Sequence, residues 1–228
     1  AGNSWAQFKN DLPTVPVRDF AIHPIMHDLI IATHGRGVFI IDDITPIRNL
    51  AVNALQSELL FLPVRPSEQS YATGFQEFSG TDEFTGTNPS DGARFAYFMK
   101  SRHMIGPMSI DIIDQNSGEV ISTVPASKRK GINLVSWNMS TKSPRVAVSP
   151  NTGGGNFGYS VLPGTYTVRI SKNGQEFKGT VTINADKRSI HTPQDRQAQH
   201  QVAKRLWTII DDLAYTAEQT TSLRDSLK

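Results

Sequence analysis

Three short apolar runs near the start of the chain predict β-strands, at residues 17–22, 29–32 and 38–41. The second and third runs are continuously apolar, a pattern typical of strands that are covered on both faces. Only the short segments 25–28 and 33–37 connect the three runs. Connections of that length make antiparallel hairpins, because a parallel pair needs a much longer crossover. The start of the chain therefore predicts a small antiparallel sheet that needs cover on both sides.

Such a sheet is a poor monomer by itself. Its two apolar faces and its open edges would all lie in water. β-Propellers avoid this problem by stacking small antiparallel sheets face to face around an axis. We therefore interpret residues 1–50 as a terminal propeller blade. We expect its partners to be the remaining blades of a parent protein, or another chain.

A different pattern begins near residue 91, where apolar and polar residues alternate as in strands with one buried face. Apolar side chains at every second position mark three of these strands: Phe95, Tyr97 and Met99; Met108, Ile110 and Ile112; Val135, Trp137 and Met139. Asn173-Gly174, a dipeptide typical of tight hairpin turns, joins the last two strands. Roughly five to seven short strands within residues 91–188 predict an immunoglobulin-like or fibronectin type III-like β-sandwich.

The last forty or so residues predict a helix. Thr192 is a good N-cap, Pro193 suits the first helical position, and Asp195 completes a capping box. One face carries an apolar stripe: Val202, Leu206, Ile209 and Leu213, continued more weakly by Ala217, Leu223 and Leu227. We expect the sandwich, or a second helix beyond Lys228, to cover it. A coiled coil is the alternative interpretation, although the heptads are few and irregular.

These patterns divide the chain into four parts. Residues 1–50 are the predicted blade, 51–90 a connector, 91–188 the sandwich, and 189–228 a helical segment that we expect to be truncated. Within the connector, residues 59–62 fit an edge strand, and the many Pro and Gly residues that follow favour an ordered loop. The predicted fold class is mainly β, with a terminal blade, a sandwich and a C-terminal α-helix.

Composition narrows the possible functions. Hydrophobic content of 38% with 19% charged residues is typical of a folded chain. The net charge is only +2, so the chain lacks the electrostatic footprint of a nucleic-acid-binding protein. The absence of cysteine excludes disulfides, thiolate zinc sites, iron–sulfur clusters and cysteine nucleophiles. No apolar run approaches the roughly 18 residues of a membrane span. We therefore expect that the protein does not bind nucleic acid and that this chain contains no membrane span.

The opening residues carry a family resemblance. Gly2-Asn3-Ser4-Trp5 is similar to the end of an Asp-box, the Ser-x-Asp-x-Gly-x-Thr-Trp turn of bacterial neuraminidase repeats, with Ser4 in place of threonine. The acidic half of that turn would precede Ala1. Leu12-Pro13, the segment 15–19, Ile22-His23-Pro24 and the segment 32–39 follow it. Together they resemble the final blade of sortilin-like and xyloglucanase-like propellers of exported bacterial proteins.

The downstream region resembles the sandwich that follows the propeller in the same family. The segments 131–139 and 162–169 carry this match, with Asn138 where an aspartate is more usual. The resemblance implies a secreted, cell-surface or periplasmic bacterial protein, with any export signal upstream of Ala1. In the hydrolases of this group the catalytic carboxylates lie on other blades, so the resemblance assigns no catalytic residue to this chain.

The sequence accordingly predicts a non-catalytic C-terminal module of an exported propeller protein, with a structural or interaction role. One alternative is the accessory tail of a propeller-type glycoside hydrolase that acts on polysaccharide. Another is a carbohydrate-binding sandwich. A polysaccharide is thus a possible partner, although Trp137, the side chain best suited to stack on a sugar, lies on the apolar face of a strand and is better explained as a core residue.

The histidines give the candidate ligand contacts. His34 and Arg36 flank Gly35 at a predicted hairpin tip, and loop tips are where propellers bind ligands. The alternative is that the glycines serve a tight turn and that Arg36 pairs with Asp42 or Asp43. His23 and His27 have a spacing that binds metal on a helix, but Pro24 and the surrounding strands disfavour a helix. We predict no metal site.

Other patterns in the sequence resemble cofactor-binding or catalytic motifs, but the predicted secondary structure around them does not fit those functions. Gly153-x-Gly155-x-x-Gly158 formally matches a dinucleotide fingerprint, but no strand precedes it and no helix follows it. Three acidic pairs are adjacent in sequence: Asp42-Asp43, Asp82-Glu83 and Asp211-Asp212. Adjacent side chains diverge on strands and on helices, so none forms a convincing catalytic pair. We predict no cofactor and no catalytic residue.

Overall fold

A computed structural model describes residues 5, 7, 12–50, 52–70, 91–147 and 157–227. The chain divides into two compact units, residues 1–50 and residues 51–228. Both contain antiparallel sheets, and the second ends in a long helix. The fold is therefore mainly β with a C-terminal helix, which confirms the prediction at that level.

The first unit is a three-stranded sheet followed by a short helix. Strands β1 (Val17–Ile22), β2 (Leu29–Thr33) and β3 (Val38–Ile41) pair antiparallel in the order β1-β2-β3. These are the three strands and the two hairpins that the apolar runs predict. Helix α1 (Thr45–Arg48) follows them. The Asp28 carboxylate accepts a hydrogen bond from the Asp43 N–H at 2.9 Å, which fastens the exit of β3 to the start of β2.

The described residues of the second unit form eight strands and a long helix, with a 3-10 helix (Val52–Gln56) before them. The strands are β4 (Leu59–Leu62), β5 (Ser67–Gln69), β6 (Ala93–Met99), β7 (Met108–Asp114), β8 (Val120–Val124), β9 (Gly131–Trp137), β10 (Gly164–Lys172) and β11 (Gln175–Ala185). One sheet has the order β5-β11-β10-β7-β8, and the other has the order β4-β6-β9. Strand β5 runs parallel to β11, whereas the rest of that sheet is antiparallel.

Side chains of both sheets form one hydrophobic core. Its fully buried members include Phe95, Tyr97, Met99, Ile110, Ile112, Trp137, Val168 and Ile170. These residues occupy the alternate positions that the period-2 pattern predicts, because side chains at every second position of a strand share one face. Trp137 is 1% exposed, so it is a core residue and offers no platform for a sugar.

Local turn chemistry explains two of the connections. Asn173 and Gly174, both at positive φ (49° and 83°), form the tight turn between β10 and β11 that the sequence predicts. At Gly158, a Cβ atom would lie 1.8 Å from the carbonyl oxygen of Thr141. Glycine is therefore required there for close backbone approach, which gives the last glycine of the apparent dinucleotide fingerprint a structural reason. Gly153 and Gly155 lie outside the described residues.

The predicted connector is described only in part. Residues 59–62 form β4 at the edge of the three-stranded sheet, as the pattern predicts, and residues 67–69 form β5 at the edge of the other sheet. The stretch 71–90, which contains the Asp82-Glu83 pair, lies outside the described residues. So do the Asp-box residues 2–4 and Lys228.

Helix α2 (Pro193–Ser226) begins where the sequence predicts. The Thr192 side-chain oxygen accepts a hydrogen bond from the Asp195 N–H at 3.2 Å, and the Asp195 carboxylate accepts one from the Thr192 N–H at 2.9 Å. This reciprocal capping box satisfies two backbone donors that a helix start otherwise leaves unpaired.

Candidate interaction surfaces

The sheet of the first unit is apolar on both faces. Residues paired across antiparallel strands share a face, so the register gives two sets of neighbours. One face contains Phe20, Ile22, Leu29, Ile31, Phe39 and Ile41; the other contains Ala21, Ile30, Ala32, Val38 and Ile40, with Asp19 as its one charged member. Of these, Ile31 is buried, whereas Phe20 is 70% exposed and Val38 and Ile40 are each 61% exposed. We call these the blade faces. Within the first unit, the face that contains Ile31 is partly covered, whereas Val38 and Ile40 on the other face are largely exposed.

His34 and Arg36 lie together at the exposed tip of the β2–β3 hairpin. The His34 N–H donates to the carbonyl of Pro16 at 3.0 Å, which holds the tip against the chain that leads into β1. Gly35 and Gly37 have φ of 82° and 72°, so the glycines serve the turn. The two side chains are therefore accessible, and their role in ligand contact stays a prediction.

His23 and Asp43 serve as turn residues. The His23 ring Nδ1 accepts hydrogen bonds from the Met26 and Ile25 N–H groups at 3.0 and 3.3 Å, as a turn residue does. The Asp43 carboxylate accepts one from the Thr45 N–H at 3.1 Å. Within the described part of the chain, no group of three or more His, Cys, Asp or Glu side chains has the geometry of a metal site.

Helix α2 is fastened by polar contacts to the segment 142–145, which follows β9, and we call these contacts the helix clamp. The Arg145 guanidinium donates two hydrogen bonds to the Asp211 carboxylate, from Nη2 to Oδ2 at 2.7 Å and from Nε to Oδ1 at 3.1 Å. The backbone N–H of Arg145 donates a third, to Oδ1 at 2.8 Å. The Trp207 indole N–H donates to the carbonyl of Lys142 at 2.9 Å. The Arg145 guanidinium also lies 5.3 Å from the centre of the Tyr215 ring. Paired charge, a bidentate geometry and a cation–π contact together fix the rotation of the helix.

A second contact lies one to two turns nearer the start of α2. The rings of Tyr159 and His200 meet edge to face with centres 5.0 Å apart, and His200 Nδ1 lies 3.2 Å from the carbonyl oxygen of Ser160. The buried or half-buried positions of the helix follow a regular spacing: Arg196, His200, Ala203, Trp207, Asp211, Ala214 and Ala217. We call these residues the docked stripe, and its printed contacts are with the segments 142–145 and 159–160.

The predicted apolar stripe lies in solvent except for Ala217, which is half-buried. Val202, Leu206, Ile209 and Leu213 are 60%, 55%, 51% and 65% exposed. Thr216 and Thr220 continue the same spacing of three and four residues, and Leu223 and Leu227 complete it. We call these eight residues the outer stripe. Of the two predicted covers, the described sheets do not cover the stripe, and a second helix beyond Lys228 stays a prediction. Trp207 and Ala214, each one position after a stripe residue and rotated by about 100°, are half-buried and buried instead.

The ion pair of the helix clamp changes the pKa of both of its members. The Arg145 guanidinium, through its hydrogen bonds to the side chain, lowers the pKa of Asp211 to about 2. The same pairing raises the pKa of Arg145. The carboxylate is therefore ionised at neutral pH, and Arg145 holds it in that state.

We expect the clamp to weaken in acid. An aspartate in an unfolded chain has a pKa of about 3.9, so the contribution of the pair is present above about pH 4 and is lost as the pH falls towards 2. The test compares the unfolding midpoint of the natural chain with that of Asp211→Asn, which keeps the shape but removes the charge. The difference between the two should be constant above about pH 4 and should shrink below it. A difference that is constant down to about pH 2 would contradict the role of the pair.

No protein-family model matches the chain, and no curated protein or solved structure matches it. Among the described residues, none of the helices combines the length and the apolar character that crossing a bilayer requires. The resemblance to sortilin-like propellers accordingly stays a hypothesis that rests on the sequence motifs.

Proposed function

We propose that the chain is a non-catalytic structural or interaction module of an exported bacterial protein, and that residues 1–50 form one blade of a β-propeller in it. The observation that carries the proposal is the pair of blade faces. A three-stranded sheet with exposed aliphatic side chains such as Val38 and Ile40 on one side and Phe20 on the other has two surfaces that favour burial. Stacking between two further sheets buries both at once.

The second part of the proposal is that the two sheets of the second unit form an immunoglobulin-like sandwich. The strand order supports it: β4, β6 and β9 correspond to strands A, B and E, while β8, β7, β10 and β11 correspond to C′, C, F and G. The Tyr166 hydroxyl donates to the carbonyl of Leu162 at 2.6 Å, near the start of β10. That is the position and bond of a tyrosine corner. The core tryptophan departs from the pattern, since Trp137 lies on β9 and not on the strand equivalent to C.

In this proposal the second unit serves interaction. The helix clamp holds α2 by the docked stripe, so the outer stripe faces solvent at a fixed rotation. A solvent-facing row of six aliphatic side chains is a feature of contact surfaces and not of a helix that only caps a domain.

Aspartate substitutions on a blade face test the propeller. In the 228-residue chain, Ile40→Asp should change the free energy of unfolding by less than about 0.5 kcal/mol, because the side chain is already 61% exposed. In a longer protein that includes its natural upstream sequence, the same substitution should cost at least about 3 kcal/mol, because stacked blades would bury the charge without a partner. Ile25→Asp is the matched control, since Ile25 is 75% exposed in the turn between β1 and β2.

Two results would overturn the proposal. Equal, small effects of Ile40→Asp in both proteins would mean that nothing stacks on this face. Turnover of glycans or peptides by the 228-residue chain itself would mean that the module is catalytic.

A further inference from the structure

The outer stripe has the spacing of a coiled-coil seam. Its eight residues run from Val202 to Leu227 with alternating steps of four and three, the repeat that keeps one narrow stripe in contact with a second helix. The seam spans about 38 Å of helix at 1.5 Å per residue. Because the docked stripe lies on a different side of α2 and is held by Arg145 and Lys142, the seam is available to a partner helix without undocking.

We propose that the outer stripe pairs α2 with α2 of a second copy of this chain, in an antiparallel two-helix coiled coil. The alternating spacing of four and three residues reads the same from either end of the seam. A two-fold axis between Leu213 and Thr216 therefore places each seam residue opposite a seam residue of the second copy. About that axis, Leu213 faces Thr216 of the second copy, and Ile209 faces Thr220. The two outer layers are Leu206 with Leu223 and Val202 with Leu227.

The two threonines decide the direction. In an in-register parallel pair, Thr216 would meet Thr216 and Thr220 would meet Thr220, which places two adjacent polar layers in the middle of the seam. The antiparallel pair sets each threonine against an aliphatic side chain, so every layer contains at least one aliphatic group. Neighbouring large and small side chains then fill each layer.

The positions that flank the seam are compatible with this pairing. On one side, Ile210 lies opposite Ala217 of the second copy, which covers a further 43%-exposed aliphatic side chain. On the other side, Asp212 lies opposite Gln219. The two arginines, Arg205 and Arg224, lie opposite Ser226 and Ala203. No like charges face each other, so the pairing has no electrostatic penalty.

The contact area sets the strength. An aliphatic side chain of this size contributes roughly 60–120 Å² when it is fully buried. Six half-exposed side chains from each copy, with the flanking residues, bury on the order of 800–1,000 Å² in total, at the small end for specific interfaces. We therefore expect a reversible dimer with a Kd on the order of 10–100 µM.

Sedimentation equilibrium of the full chain tests the pairing, over total concentrations of about 5 to 500 µM. We expect a monomer–dimer equilibrium whose Kd rises at least about tenfold in Leu213→Asp, because a buried carboxylate would replace the aliphatic side chain in each of the two central layers. Leu213 is 65% exposed, so the variant should keep the circular dichroism and unfolding midpoint of the natural chain. Ile190→Asp, at a 92%-exposed position outside α2, is the control and should leave the Kd unchanged.

Single cysteines test the direction, because the natural chain has none. Mixing Leu206→Cys protein with Leu223→Cys protein should give the mixed disulfide, whereas Leu206→Cys alone should give little crosslinked dimer. Efficient crosslinking of Leu206→Cys with itself would overturn the antiparallel arrangement. A monomer at every concentration would overturn the second copy as the occupant. So would a dimer that survives Leu213→Asp but is lost in Val38→Asp, which would assign self-association to a blade face.

Discussion

Replacing Trp137 by alanine should lower the free energy of unfolding of the second unit by about 3–5 kcal/mol, the usual cost of removing a buried aromatic side chain. The ring is 1% exposed and meets the Tyr166 ring edge to face with centres 5.3 Å apart. Its indole N–H donates to the carbonyl of Ser140 at 2.9 Å. The substitution therefore removes core packing, an aromatic contact and the donor for a backbone carbonyl in one step.

Equilibrium urea unfolding followed by circular dichroism measures this loss, since tryptophan fluorescence would itself change. Leu134→Ala is the matched control on the same strand. Leu134 is 49% exposed, so that variant should cost less than about 1 kcal/mol. If the two variants lose similar stability, Trp137 is not at the centre of the core.

Alkaline pH should destabilise the same core. Tyr97 and Tyr166 are 0% and 7% exposed, and burial raises the pKa of each to about 12. In the unfolded chain a tyrosine ionises near pH 10. Between about pH 10 and 12 the unfolded chain therefore binds fewer protons than the folded one, and stability is lost as the pH rises. Each tyrosine should lower the free energy of unfolding by roughly 2 kcal/mol by pH 12.

The measurement is the unfolding free energy from about pH 9 to 12, compared with that of Tyr166→Phe. The variant loses the hydroxyl bond to Leu162, so its stability at pH 9 should already be lower by about 1–3 kcal/mol. Its slope with pH should nevertheless be about half that of the natural chain, because one of the two buried phenols is gone. Equal slopes in the two proteins would show that Tyr166 ionises as freely in the folded chain as in the unfolded one.

The structure shows which features of the helix the sequence can indicate. The start of α2 follows from Thr192, Pro193 and Asp195 alone, because a capping box joins atoms only three residues apart. The choice of docked stripe does not follow, because it depends on contacts between distant residues such as Arg145 and Asp211, which lie 66 positions apart. The spacing of Ala203, Trp207 and Ala214 was the available signal: small residues admit close approach, and one large aromatic can anchor it.

The sequence by itself determined the strands of both units except β5 (Ser67–Gln69), since alternation, continuous apolar runs and the Asn173-Gly174 turn act over a few residues. It also placed His34 and Arg36 at a hairpin tip. Only the tertiary structure decided that β5 pairs with β11, that a polar clamp holds α2, and that the most apolar stripe of the helix lies in water. The physical reason is that a periodic pattern indicates which residues favour burial. Which of them become buried depends on the shape and charge of residues that are distant in the sequence and close in the fold.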